Sequence, residues 1–125
     1  MKIRSWLKVA RSESLKSTYK HQLGAVIVSG GSIISKGFNQ IRHSSKLKEH
    51  AKVDETLHAE RDAIIKIKNK KKLFGSTIYI YREHKNGNPA NAKPCIFCHE
   101  MIKASGIKKA IYTIETFPYY EEVKF

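Results

Sequence analysis

Thr77-Ile78-Tyr79-Ile80-Tyr81, then a run opening at Pro94-Cys95-Ile96-Phe97-Cys98 and closing at Gly106, then Ala110-Ile111-Tyr112-Thr113-Ile114, is the stretch on which the fold turns. Its two ends are β-branched and aromatic and read as strands. Its middle starts on a proline and stops at a glycine, the asymmetry expected of a helix. A strand, a crossover helix and a second strand require parallel neighbours with the helix lying on a sheet face. The connection from Arg82 to Lys93 carries Asn86-Gly87 and Pro89 and reads as a long loop.

Working outward, Gly24 to Val28 and Ser32 to Phe38 are two short β-branched runs joined through Ser29-Gly30-Gly31, the mark of a tight hairpin. Ile3, Trp6, Leu7, Ala10 and Ser14 recur at helical spacing, which predicts a first amphipathic helix over residues 3–16. Residues 41–55 are polar and read as a loop. A further helix is expected from Thr56, as its cap, to about Asn69, with Leu57, Ile64 and Ile67 on one side and Lys66, Lys68 and Lys70 near its end. Thr116-Phe117-Pro118 breaks the chain, and Tyr119 to Phe125 is expected to fold back as a last, antiparallel strand. The sum is one domain over residues 1–125, a three-layer α/β/α arrangement on a mixed sheet of four to five strands.

The chain has 125 residues, 41% hydrophobic and 28% charged, the composition of a globular domain. Neither a membrane span nor an export segment is legible, so the expected location is cytoplasmic. Net charge is +13 and comes mostly from lysine, the arginines being Arg4, Arg11, Arg42, Arg61 and Arg82. That balance favours phosphate-bearing partners, though a Lys-rich solubility surface explains it equally well. Two cysteines make no disulfide framework, and a close pair in a reducing compartment points to metal or redox chemistry.

The chemistry-bearing residues fall at the starts of two predicted helices: His58-Ala59-Glu60, and Cys95 with Cys98. Residues three apart on a helix are neighbours, so both sulfurs can face one ion. A helix N-terminus is expected to lower the thiol pKa toward the thiolate that zinc requires. With the helices side by side, His58 supplies a third ligand and leaves one tetrahedral corner for water, as in catalytic zinc sites. Zinc brings the pKa of such a water from ~15.7 to about 7. Glu60 stands two residues from His58, beside the metal rather than on it, where a carboxylate can move protons.

The pattern H-x-E followed by P-C-x-x-C, here His58-Ala59-Glu60 and Pro94-Cys95-Ile96-Phe97-Cys98, resembles the signature of the cytidine deaminase superfamily. The similarity extends over most of the chain, through Gly24-Ala25-Val26-Ile27-Val28, Gly37-Phe38-Asn39 and Ser105-Gly106-Ile107-Lys108-Lys109, and is greatest with the deoxycytidylate-type deaminases. It implies a cytidine deaminase-like fold, a Zn2+ cofactor held by His58, Cys95 and Cys98, Glu60 as proton shuttle, and a homo-oligomer. It further implies substrate contacts from Asn39 and from the Ala59 amide. Arg82, Lys85 and Lys93 are candidates to hold a phosphate. The implied reaction is hydrolytic conversion of cytosine to uracil in a free deoxycytidine nucleotide. The Arg82–Lys93 loop, bearing Glu83 and His84, is longer than the short acidic link usual in the family. The sequence stops soon after its fourth predicted strand, so the extra C-terminal helices of tRNA adenosine deaminases and nucleic-acid cytosine editors are not expected.

Other readings of the same residues stand beside this one. Excess lysine with exposed aromatics suits a deaminase acting on single-stranded DNA or RNA. Cys95-Ile96-Phe97-Cys98-His99 also spells a c-type haem attachment pattern, although His58-Ala59-Glu60 would then be coincidence. A structural, non-catalytic zinc would need a fourth ligand from His21, His43, His50, His84 or His99. Phe97 and Met101 are expected in the core. The tyrosines Tyr79, Tyr81, Tyr112, Tyr119 and Tyr120 are expected to pack, with one or two free to stack on a base.

Overall fold

The computed structural model describes residues 3–41 and 56–125. Most of the expected loop at 41–55, with Arg42, His43 and His50, lies outside the described residues. Alternation along the central strands sorts the core into two halves. On β1 (Leu23–Ser29), Ala25 and Ile27 face one way and Val26 and Val28 the other. On β5 (Thr77–Arg82), Ile78 and Ile80 join the first set while Tyr79 and Tyr81 join the second. A period of two with apolar side chains on both faces demands cover on both sides. On one side α1 (Ile3–Ser14) lays Trp6, Leu7 and Ala10 against Val26, Val28 and Tyr79. On the other, α2 (Ala59–Ile65) and α3 (Ile96–Ala104) cover Ala25, Ile27, Ile78 and Ile80 with Ala59, Ala63 and Ile102.

The five strands run in the order β2 (Ser32–Phe38), β1, β5, β6 (Lys109–Thr113), β7 (Tyr120–Lys124). Only β5 and β6, joined through α3, are parallel, and β7 returns antiparallel as expected. The sheet is mixed and the domain has the three expected layers. Leu23 pairs with Arg82 and Gly24 with Phe38, so the start of β1 and the ends of β2 and β5 meet at one edge. The functional residues gather at that edge. Among the described residues no helix is long and apolar enough to cross a membrane.

Two glycines let the helices approach. A Cβ on Gly24 would stand 2.0 Å from the Ala10 carbonyl oxygen of α1, and one on Gly37 would stand 2.5 Å from Ala59 O and Ala63 N of α2. Ser35 Oγ donates to Ala63 O at 2.6 Å and seals the second approach.

One predicted boundary fails. Thr56 does not cap a helix; Thr56–Leu57 forms a short strand, β4, paired antiparallel with β3 (Gln40–Ile41). Pairing holds the backbone extended through His58, which is the N-cap at φ −67° and ψ 150°. The helix is also shorter than expected. After Ile65 the chain passes into a separate 3-10 turn at Lys70–Leu73, and Lys70 Nζ caps the Ile64 and Ile67 carbonyls at 2.6 Å each. The last helix starts at Ile96, two residues after Pro94, with Cys95 as its cap.

Candidate metal centre and active site

His58 and Cys95 occupy the same structural position, the N-cap of a helix. The extended backbone there throws each side chain forward off the helix end. Cys98 lies one turn into α3 and is buried. His58 Nδ1 is 3.3 Å from Cys98 Sγ and 3.8 Å from Cys95 Sγ, and all three donor atoms lie within 4.8 Å of one another. A tetrahedral zinc with Zn–N near 2.1 Å and Zn–S near 2.3 Å places nitrogen and sulfur about 3.6 Å apart. The observed separations bracket that value, so the three donors are spaced to hold the ion. Among the described residues, His21, His84 and His99 stand outside this three-donor cluster, which leaves the fourth corner free of these side chains. A square-planar haem iron does not explain the convergence of His58 on the sulfurs.

The helix end was expected to lower the thiol pKa. Instead Cys98 is held far above the ordinary thiol range, first by burial and then by its neighbours Glu60 and Cys95. Its amide does donate to Cys95 Sγ at 3.5 Å, as a helix end should. Burial beside two other acidic groups outweighs that one dipole, and the thiolate becomes favourable only with a cation in place. Glu60, in the first turn of α2, is 3% exposed. Burial pushes its carboxyl upward, against the opposing pull of its main-chain hydrogen bond, His58 and the Cys98 thiol. The carboxyl thus lies against the Cys98 thiol of the donor cluster, presented from α2.

A cavity of about 340 Å³ opens over the cluster, with His58, Ala59, Glu60 and Cys95 on one side and Asn39, Arg82 and Lys93 on the others. Lys85 is not in its wall. Asn39 is buried, and its amide is already bonded: Oδ1 accepts from Leu23 N at 2.8 Å and Nδ2 donates to His21 O. Asp62, fully buried on α2, accepts from Phe38 N at 3.1 Å and Gln40 Nε2 at 3.0 Å, tying the helix to the segment that carries Asn39. Arg82 donates from Nη1 to Asn91 O at 3.2 Å, and its Nη2 lies 3.2 Å from His21 Nδ1. Partial burial, then the charges of Arg82 and Lys20, lower the His21 pKa.

Tyr19, His21 and Asn91 also line the cavity; the sequence offers no sign of Tyr19 and Asn91 there, and marks His21 only as a candidate ligand of a structural zinc. They lie in turns, where hydrophobic periodicity carries no signal. Phe97, expected in the core, is 83% exposed: α3 turns Cys98 and Ile102 inward, and Phe97 lies about 100° round the helix. Met101 does pack against the core, and Tyr79 and Tyr112 are buried as expected.

The description of one protein family, the cytidine and deoxycytidylate deaminase zinc-binding region, matches residues 1–114. The chain belongs to this family. Its His58, Cys95 and Cys98 are positioned to bind the zinc of that region. A tRNA-specific adenosine deaminase of Aquifex aeolicus (strain VF5) is 34% identical over 113 residues, a match covering 86% of this chain and 63% of that protein, so this chain spans less than two thirds of that relative. The dCMP deaminase of cyanophage S-TIM5, in its apo form, superimposes with a TM-score of 0.69 at 28% identity, over 94% of this chain and 88% of that one. The same phage enzyme in complex with dCMP and dUMP gives a TM-score of 0.66 at 27% identity, over 90% and 81%. A cytidine deaminase from Burkholderia pseudomallei shares the fold, with a TM-score of 0.70 at 16% identity over 99% of this chain and 93% of that one.

Proposed function

We propose that this deaminase converts cytosine to uracil in a free deoxycytidine nucleotide, the monophosphate being the smallest. The observation that carries the reading is Glu60: a carboxyl 3% exposed in the wall of a nucleotide-sized cavity, beside a three-donor cluster with a corner to spare. Held by His58, Cys95 and Cys98, zinc would supply a water whose pKa is lowered to about 7, and so a hydroxide at neutral pH. Glu60 takes a proton from the attacking water and passes it to the ring nitrogen N3 as oxygen bonds to C4. It then takes the second proton from the new C4 hydroxyl and gives it to the amine, so that C4=O forms as the C4–N bond breaks and ammonia leaves. Asn39 and the first helical residue, Ala59, are proposed to set the base edge-on to this carboxyl. Arg82 and Lys93 line the same cavity and suit the nucleotide's phosphate. The similarity to a phage enzyme solved with dCMP and dUMP supports a nucleotide substrate.

The test is turnover by the zinc-loaded protein of dCMP, deoxycytidine, cytosine and single-stranded DNA. We expect dUMP and ammonia from dCMP. Glu60→Gln should keep its zinc and lose about 10²- to 10⁴-fold in kcat. No uracil product from any monomeric cytosine compound would overturn the nucleotide reading.

A second reading, deamination within a single-stranded nucleic acid, is supported by the Aquifex relative and by a groove that combines Arg4, Lys8 and Arg11 of α1 with Tyr81, Tyr119 and Tyr120. Cations beside aromatic faces suit a strand of stacked bases. It predicts oligonucleotide binding that weakens steeply with salt.

A further inference from the structure

A second cavity, of about 550 Å³, adjoins the one that holds the metal cluster. The two share His21 and Arg82, so the Arg82 guanidinium is the partition between them. Beyond the partition the wall is strongly cationic. Lys20 stands on one side and Lys85 on the other, both exposed at the end of the chemistry-bearing edge of the sheet. The one acid in the lining, Glu83, is already committed: its Oε1 accepts from Arg11 Nε and from the Tyr81 hydroxyl, each at 2.8 Å. His84 is bonded to the exposed Glu115, which stands outside the wall.

The main chain that presents these cations is fixed. Ala90 N donates to Arg82 O at 2.9 Å, His84 N to Asn88 O at 2.8 Å, and Gly87 N to His84 O at 2.9 Å, so residues 82–90 form a closed hairpin with Lys85 at its rim. Thr113 Oγ1 anchors the base of that hairpin, donating to Ala90 O at 2.7 Å and accepting from Arg82 N at 3.1 Å. On the opposite side, Tyr19 N donates to Ser17 Oγ at 3.2 Å and Asn39 Nδ2 binds His21 O, bracketing Lys20. Two lysines lining one cavity with a guanidinium, carried on hydrogen-bonded main chain, have no use in holding a pyrimidine ring.

We propose that this second cavity is an anion site for the phosphates of the substrate beyond the first, and that the substrate class extends to deoxycytidine 5′-di- and triphosphates. The inference rests on the nucleotide reading given above. With the base over the metal cluster and the first phosphate at Arg82, each added phosphate passes the partition toward Lys20 and Lys85. Phosphates close to lysines gain charge-assisted hydrogen bonds, and binding energy from this remote group can be used at the reacting end.

Two measurements test it together. In turnover by the zinc-loaded protein, dCTP should exceed dCMP in kcat/KM by about tenfold or more, the scale of electrostatic steering into a charged cleft. The double substitution Lys20→Gln/Lys85→Gln should bring that ratio toward unity, and the ratio cancels any loss common to both substrates. Separately, calorimetry should show saturable binding of inorganic tripolyphosphate, weakened about tenfold or more in the double variant or, should that variant not fold, in Lys20→Gln alone. Tripolyphosphate binding that depends on the lysines, with no turnover of any cytosine compound, would leave the anion site standing and remove the proposed reaction. Turnover of dCMP with no advantage for dCTP and no tripolyphosphate binding would overturn the anion site. So would a lysine-dependent advantage seen only for a short oligodeoxynucleotide.

Discussion

At the residue scale, the site depends on what burial does to ionisable groups. Cys98 and Glu60 are both pushed toward their neutral forms by desolvation, and Glu60 further raises the cost of ionising Cys98, whereas the Cys98 thiol eases ionisation of Glu60. A dication relieves both at once. His58→Ala or Cys98→Ala should therefore abolish zinc binding, read as metal content after dialysis, while Glu60→Gln retains it. His21 responds in the opposite sense to acid. Its lowered pKa means the neutral ring is preferred in the fold, so its contribution is present above the ordinary imidazole range and is lost as pH falls through the lowered value. Only the neutral ring can accept from Arg82 at Nδ1. Replacing Arg82 with Gln removes one of the two cations that disfavour protonation, and the His21 titration followed by NMR should move up toward the ordinary value. A titration that stays put would show that desolvation and Lys20, not Arg82, set it.

At the element scale, the contact between α2 and β2 positions the metal donors, and Gly37 makes that contact possible. Gly37→Ala forces a Cβ to within 2.5 Å of Ala59 O and Ala63 N. We expect a stability loss of about 1–3 kcal/mol together with weakened zinc affinity, because α2 must lift and carry His58 with it. Gly24→Ala makes a still closer contact, with the Ala10 carbonyl oxygen of α1 on the opposite face. It should lower the denaturant midpoint while leaving zinc affinity in place. Equal effects of the two on zinc would break the link between the Gly37 contact and the site. The hairpin shows why part of the edge could not be read from the sequence. Gly30-Gly31 predicts the turn, yet the register shifts by one residue between Ile27 and Val28. Without that bulge Leu23 would stand opposite Phe38; with it, Gly24 takes that partner and Leu23 N reaches the Asn39 amide oxygen. The early start expected for α2 failed for a similar reason, since β4 exists only through pairing with β3.

At the scale of the whole molecule, one face of the sheet is occupied by α1 and the chemistry is confined to the other, at the edge where β1 starts and β2 and β5 end. Zinc joins α2 to α3 across that edge and should stabilise the entire fold. At free zinc a thousandfold above its Kd the gain is about 4 kcal/mol. Chelation should then lower the thermal midpoint by on the order of 10 °C, measured by calorimetry with and without a chelator. A midpoint indifferent to chelation would mean that the donors bind zinc weakly or not at all.

The order of strands and helices, the three layers and the identity of the metal donors were legible in the chain itself, because each rests on local properties: hydrophobic period, turn residues and the reach of side chains three apart. The start of α2, the exposure of Phe97, the recruitment of Tyr19 and His21 and the cavity beyond Arg82 were decided only by tertiary structure. Each depends on which segment lies opposite which, and that is set by a one-residue bulge, a two-residue strand pair and the close approach of a helix to a glycine, whose partners are distant in sequence.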